Sequence, residues 1–154
     1  MRTVVRLLVL AAIAAVATGV TAAGASAGKV HKQALYVRTV PTSSFYVDND
    51  PSGNSAGDLF GSTGDLRRSG RKLGTYSSAC TAASDSLGQC HATFVFKDGS
   101  RLQLAGQFDL SPGVANQLSI VGGTGKYKRA RGDAHLKPAT KNPSIQKVRL
   151  RIRL

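Results

Sequence analysis

The residues that most readily suggest chemistry are Gly122-Gly123-Thr124-Gly125-Lys126, a glycine run ending in lysine after the apolar stretch Leu118-Ser119-Ile120-Val121. A phosphate loop needs Gly, four residues, Gly-Lys, then Ser or Thr. Here Gly125-Lys126 is followed by Tyr127, and the earlier glycine would fall at Ile120. The dinucleotide fingerprint fails as well: Gly123 and Gly125 fit its first two glycines, but Lys128 stands at the third. No long helical pattern follows to supply a dipole. Nucleotide binding is therefore disfavoured. The glycines instead permit a sharp turn where side chains would clash, with Tyr127 and Ala130 packing inward and Lys126, Lys128 and Arg129 left in water.

Other reactive side chains are sparse. All eight acids are Asp, so no paired glutamates exist for glycoside chemistry, although two Asp could serve. His91 and His135 lack an adjacent Ser or carboxylate, and a triad would have to assemble in space. Asp58 and Asp65 are either acids facing an interior site or strand-end caps for nearby amides. Tyr36, Tyr76 and Tyr127 either line a cavity or pack as strand aromatics. Asp48-Asn49-Asp50 hints at calcium but lacks the glutamate and the length of an EF-hand loop. Cys80 and Cys90, even with His91, form an incomplete zinc set. No metal site and no cofactor are expected, and the cysteines are expected to form one disulfide.

That pairing follows from compartment. Arg2 and Arg6, the apolar run Leu7 to Val20, and Ala25-Ser26-Ala27 have the grammar of a cleaved secretory signal over residues 1–27. The run is short for a membrane span. The mature domain is then 28–154, secreted into an oxidising environment where disulfides persist, with no membrane contact beyond the signal. The net charge is +13, two units of it from Arg2 and Arg6. Such a charge favours anionic surfaces, including cell-envelope polymers. A nucleic-acid partner is not expected, because the chain has no Trp and no aromatic-basic motif.

The remaining chain is punctuated into β segments. Ala34–Val40 is a first strand, ended by Pro41, and 48–57 is a loop. Strands follow over Asp58–Leu66, Leu73–Ala83, Gln89–Phe96, Arg101–Leu110, Gln117–Val121 and Gly132–Lys137. A basic turn spans 67–72 and a polar loop 138–144. Lys147–Leu154 alternates Val148, Leu150, Ile152 and Leu154 with four cations. Cys80 opposite Cys90 sets Ser78 against Ala92 and Tyr76 against Phe94. At Lys97-Asp98-Gly99, a three-residue loop with left-handed Gly99 sets Phe94 opposite Leu102 and Ala92 opposite Leu104. A two-residue loop would set apolar against polar instead. Eight short alternating strands without a long helix predict an all-β barrel or sandwich.

Val121 to Tyr127 together with Ala130-Arg131-Gly132 resembles the late signature of the dirigent and allene oxide cyclase barrels. The resemblance extends to Gly57-Asp58-Leu59-Phe60, Lys72-Leu73-Gly74-Thr75 and Phe94 to Ser100, covering about Asp58 to Leu136. It is nearest to secreted bacterial members with a similar cysteine pair. It implies a single eight-stranded antiparallel β-barrel whose lumen takes a hydrophobic small molecule, and a homotrimer or homodimer. Relatives direct phenoxy-radical coupling or cyclise an unstable epoxide, both by orientation. It further implies Arg131 as a lumen cation; Asp58 and Asp65, read from the residues alone, are the candidate acids. Tyr36, Tyr76 and Tyr127 are the candidate ligand contacts. Relatives carry an acid in or near the glycine loop, and here none lies between Gly122 and Arg131. The expected function is an exported barrel that binds and orients an apolar guest. The alternatives are a cyclase or isomerase, and a non-catalytic cationic envelope protein.

Overall fold

The structure, a computed structural model, describes residues 30–49 and 51–154. The signal-peptide expectation for 1–27 lies outside them. Eight strands form one antiparallel barrel closed in sequence order: β1 Lys32–Val47, β2 Leu59–Arg68, β3 Arg71–Ala82, β4 Leu87–Phe96, β5 Arg101–Asp109, β6 Asn116–Thr124, β7 Arg131–Ala139 and β8 Asn142–Arg153. Closure leaves no unpaired sheet edge. The expected hairpin registers hold. Cys80 faces Cys90, Ser78 faces Ala92 and Tyr76 faces Phe94. Phe94 faces Leu102 and Ala92 faces Leu104. Gly99 sits at φ +77°, and its amide donates to the Phe96 carbonyl at 2.9 Å, as the bulged loop requires.

The disulfide joins Cys80 and Cys90 across the β3–β4 hairpin, with Cα atoms 4.1 Å apart. That close spacing belongs to a directly opposed, non-hydrogen-bonded pair.

Three boundaries differ most from the sequence expectation. The basic turn 67–72 narrows to Ser69 and Gly70, with Arg67 and Arg68 in β2 and Arg71 and Lys72 in β3. Pro41 does not end β1. The strand pairs with β8 from Lys32 to Thr39 and with β2 from Arg38 to Val47, and Pro41 sits where the β2 register shifts. At such an irregularity the missing proline N–H costs no ladder bond. The polar loop 138–144 is also mostly strand. β7 runs to Ala139 and β8 restarts at Asn142, so two residues make the turn. Pro, Asn and Ser lower strand propensity, but pairing between two long barrel strands overrides it.

The opening glycine stretch is an extended end of β6 followed by a 3-10 turn, Gly125–Tyr127. Tyr127 and Ala130 are buried there, while Lys126, Lys128 and Arg129 are exposed. A Cβ on Gly123 would lie 2.1 Å from the Arg101 carbonyl oxygen, so this glycine lets β6 approach β5. Lys126 reaches back to Asp98 at 2.7 Å and ties the turn to the β4–β5 hairpin.

Alternation divides the barrel into an apolar inside and a charged outside. At the end bearing the 69–70, 97–100 and 125–130 turns, Leu66, Leu102, Leu104, Ile120, Leu150 and Ile152 fill the lumen. This end is a packed core. Toward the other end the inward residues become small, and the lumen opens.

Candidate ligand-binding site

The open half of the lumen is a cavity of about 340 Å³. That lies at the small end of ligand-pocket size. Its volume comes from small inward residues on consecutive strands: Ser44 on β1, Ser62 on β2, Ser78 on β3 and Ala92 on β4. Phe45, Phe60, Phe94, Phe108, Leu118 and Leu136 supply the apolar wall. Tyr76 meets Phe94 edge-on, with ring centroids 6.5 Å apart.

A cluster of hydroxyls interrupts this wall. Ser62 Oγ lies 3.1 Å from Tyr76 Oη and 3.2 Å from Ser78 Oγ, and Ser78 Oγ also donates to the Ser62 carbonyl at 3.3 Å. These hydroxyls come from inward positions of neighbouring strands, where Ser62 pairs with Ser78. Each keeps unused hydrogen-bonding capacity for a guest hydroxyl or carbonyl. Thr39 and Gln146 add neutral polar groups on the facing wall, and no ionised side chain lines the cavity among the described residues. The arrangement can hold and orient an apolar molecule with one polar group. It presents no carboxylate, imidazole or ammonium for proton transfer.

Of the residues singled out from sequence, Tyr76 lines this cavity and the others are elsewhere. Tyr36 lies on the outer wall, with the Arg149 guanidinium 5.7 Å from its ring centroid. Tyr127 is packed at the closed end, 5.0 Å from the Phe96 ring, and burial pushes its phenol pKa up. Arg131 is exposed on the outer face, its Nη1 donating to the Ala130 carbonyl at 2.8 Å. Even-numbered β7 residues such as Ala134 and Leu136 point inward. Arg131, an odd position, is directed out by the strand period. Asp65 also stands outside the lumen lining, bonded to Lys72 at 2.6 Å and Arg67 at 3.0 Å. Lys72 first, then Arg67, holds its carboxyl below the usual range.

Asp58 is buried at the mouth, where it organises the rim. Its carboxylate accepts the Ser55 amide at 2.8 Å, the Asn49 amide at 2.9 Å and the Tyr46 hydroxyl at 2.7 Å. The Ser55 amide is the largest cause of its lowered pKa, about 2, followed by the Tyr46 hydroxyl and the Asn49 amide. The same bond to Asp58 pushes Tyr46 up to about 12. This cap fixes Asn49 and Ser55 against the end of β1, which carries Phe45 into the cavity mouth.

A pH dependence follows. The folded pKa of Asp58 is depressed, so its contribution to stability is complete above the ordinary carboxylate value and disappears as pH falls from about 4 toward 2. Asp58→Asn should lower the thermal midpoint by several degrees at pH 7 and flatten its fall below pH 4. Parallel midpoint curves for the two proteins would show that the cap contributes nothing.

The small inward residues escaped the sequence reading, although strand period alone can find them. From Leu66 back to Phe60, and from Tyr76 on to Ala82, every second residue faces the lumen. Midway along them stand the small residues Ser62 and Ser78. Ser and Ala carry no chemical signal by type, so only their common inward phase marks them.

A family model described as "Dirigent-like protein" matches residues 59–154, well over half the chain. The chain belongs to the dirigent-like family. No match is found among curated proteins. Solved structures share the fold. A pyocyanin demethylase superposes with a TM-score of 0.70 at 18% identity, covering 78% of this chain and 99% of that one. A pterocarpan synthase dirigent protein superposes with a TM-score of 0.66 at 21% identity, covering 80% and 88%. The Diels Alderase AbmU from Streptomyces koyangensis gives 0.66 at 20% identity, covering 79% of this chain and 63% of its own. At these identities the likeness establishes the dirigent-like barrel and no more.

Proposed function

We propose that this dirigent-like barrel takes a small apolar molecule bearing one hydroxyl or carbonyl into the open half of its lumen and holds it in one orientation. The observation that carries the proposal is the 340 Å³ cavity with aromatic walls and a Ser62–Tyr76–Ser78 hydroxyl cluster. Aromatic and aliphatic walls contribute burial, and the hydroxyls set direction. Orientation alone accelerates a reaction whose guest is already reactive. Cyclisation or coupling of such an intermediate suits a cavity without ionised groups better than hydrolysis or proton abstraction does. The proposal assigns no chemical step to Arg131 or Asp65, which stand outside the cavity. Export of residues 28–154 is part of the reading, supported by the signal-like leader and by a disulfide suited to an oxidising compartment. Assembly into a homotrimer or homodimer belongs to it too, and light scattering reads that directly.

The test uses 2-naphthol, a fluorescent apolar bicycle with one hydroxyl. Saturable binding to the wild type is expected. Ala92→Phe places a ring into the open lumen beside Ser78, and should weaken binding at least about tenfold while leaving the barrel folded, because the ring enters empty space. No saturable binding to the wild type, or equal binding to the folded variant, would sink the proposal.

A further inference from the structure

Outside the lumen, the wall formed by β2, β1, β8 and β7 carries a row of cations. Arg67 pairs with Arg38, Arg38 with Lys147, and Lys147 with Lys137. Four like charges therefore stand side by side on four adjacent strands, a row of about 14 Å at the spacing of sheet strands. In the next row Tyr36 pairs with Arg149, and Arg149 with His135. These side chains line one surface groove of about 470 Å³.

Like charges directly opposite one another destabilise a sheet. The neighbouring acids are engaged elsewhere or at the ends of the row. Asp65 takes Arg67 and Lys72, and Asp133 takes Arg151 and His135. Among the described residues no carboxylate pairs with Arg38, Lys137, Lys147 or Arg149. A concave site with this many unneutralised cations is complementary to an anion of several charges.

We infer that this groove binds a linear polymer carrying repeated phosphate groups, laid along the Arg67–Arg38–Lys147–Lys137 row. Arg38 and Arg149 supply planar forks that match phosphate oxygens, Arg67 stays committed to Asp65 at the end of the row, and the length of the row accommodates several phosphates. Other occupants fit less well. A second copy packed isologously would set this row against itself, cation against cation. A membrane surface would call for several apolar anchors beside the cations, but among the described residues the groove exposes Tyr36 alone, while Phe45, Tyr46, Val47, Leu59 and Leu87 are exposed at the mouth end of the barrel. A single-stranded nucleic acid would use successive aromatic platforms, and the groove has Tyr36 alone, already covered by Arg149. Charge is also unevenly spread along the barrel. Asp48, Asp58, Asp85 and Asp109 lie toward the mouth, while Arg71, Lys97, Lys128 and Arg129 lie at the closed end. The field draws a polyanion away from the cavity opening, so polymer and lumen guest occupy the barrel independently.

The experiment measures binding of long-chain inorganic polyphosphate over a salt series. The groove variant is Arg38→Gln/Lys137→Gln/Lys147→Gln/Arg149→Gln, and the control is Lys97→Gln/Arg101→Gln/Lys128→Gln/Arg129→Gln, equal in charge. The groove variant should bind at least about tenfold more weakly, and its slope of log affinity against log salt should flatten by roughly 3, the value for four lost phosphate contacts on a flexible polyanion. The control should lose less than about threefold on the same basis. Removing repulsion from the row should leave the thermal midpoint equal or higher, and 2-naphthol binding should be unchanged. Equal losses in the two variants would overturn the groove and leave only diffuse charge. So would tighter wild-type binding, at equal phosphate, to single-stranded DNA or phosphatidylglycerol vesicles than to polyphosphate.

Discussion

Gly132→Ala is expected to destabilise the barrel by about 4 kcal/mol, combining backbone strain with a steric clash in a packed wall. Gly132 stands at φ +141°, a conformation that side-chain-bearing residues rarely adopt. An added Cβ would lie 1.9 Å from the Arg151 carbonyl oxygen on β8. Neither atom can yield cheaply, because Gly132 faces Ile152 in the β7–β8 ladder. Moving either strand breaks the pairing that helps to close the barrel. Against a total stability of about 5–15 kcal/mol for a domain, this is a large fraction, and the thermal midpoint should fall by more than about 10 °C. Gly99→Ala is the control. Gly99 has φ +77° with nothing within 4 Å of an added Cβ, so only backbone strain of about 1 kcal/mol is expected. Equal losses in the two variants would remove close approach of β8 as the reason for this glycine.

Removing the disulfide should produce the second large effect. Cys80 and Cys90 are separated by 10 residues. Closing so short a loop contributes about 3 kcal/mol in the chain-entropy description. Cys80→Ala/Cys90→Ala should therefore unfold at a clearly lower denaturant concentration than the wild type. Reductant should shift the wild type toward the variant and leave the variant unchanged. The clamped hairpin also carries Tyr76, Ser78, Ala92 and Phe94, a large part of the cavity wall. Affinity for 2-naphthol should fall with the disulfide, since a fraying hairpin blurs the orientation of the hydroxyls. A wild-type unfolding midpoint that ignores reductant would show that the cross-link does not hold this wall.

These two expectations show how differently fold and site are encoded. The β3–β4 and β4–β5 registers were legible because pairing is local. Once Cys80 faces Cys90, a strand period of two decides every other pair in that hairpin, and Phe94 can face Leu102 only through a bulged loop at Gly99. The barrel was legible from eight alternating segments and from motifs dense in glycine. The rest of β1 was not. Pro41 is a stop signal for local propensity, and the strand passes through it because β1 changes partner from β8 to β2 there. No window of sequence contains both partners.

The site was less legible still. Reading by residue type favours Arg, Asp and Tyr, because those side chains carry charge or a phenol. Of these, Tyr76 reaches the cavity, since its even position on β3 points inward. Arg131 has the opposite phase on β7, and Asp58 is consumed by loop amides at the rim. The open volume comes from Ser44, Ser62, Ser78 and Ala92, ordinary residues that matter only because four strands bring them to one level of the lumen.

By itself, the sequence determined the all-β class, the number of strands, the hairpin registers around the cysteines and the cationic balance, because these follow from alternation, turn chemistry and composition. Tertiary structure alone decided where the barrel is filled and where it is open. It also turned Arg131 outward and lined up Arg67, Arg38, Lys147 and Lys137. The physical reason is closure: joining β8 to β1 fixes the phase and level of every strand at once, and a side chain's neighbours across the lumen or along the wall come from segments far apart in the chain.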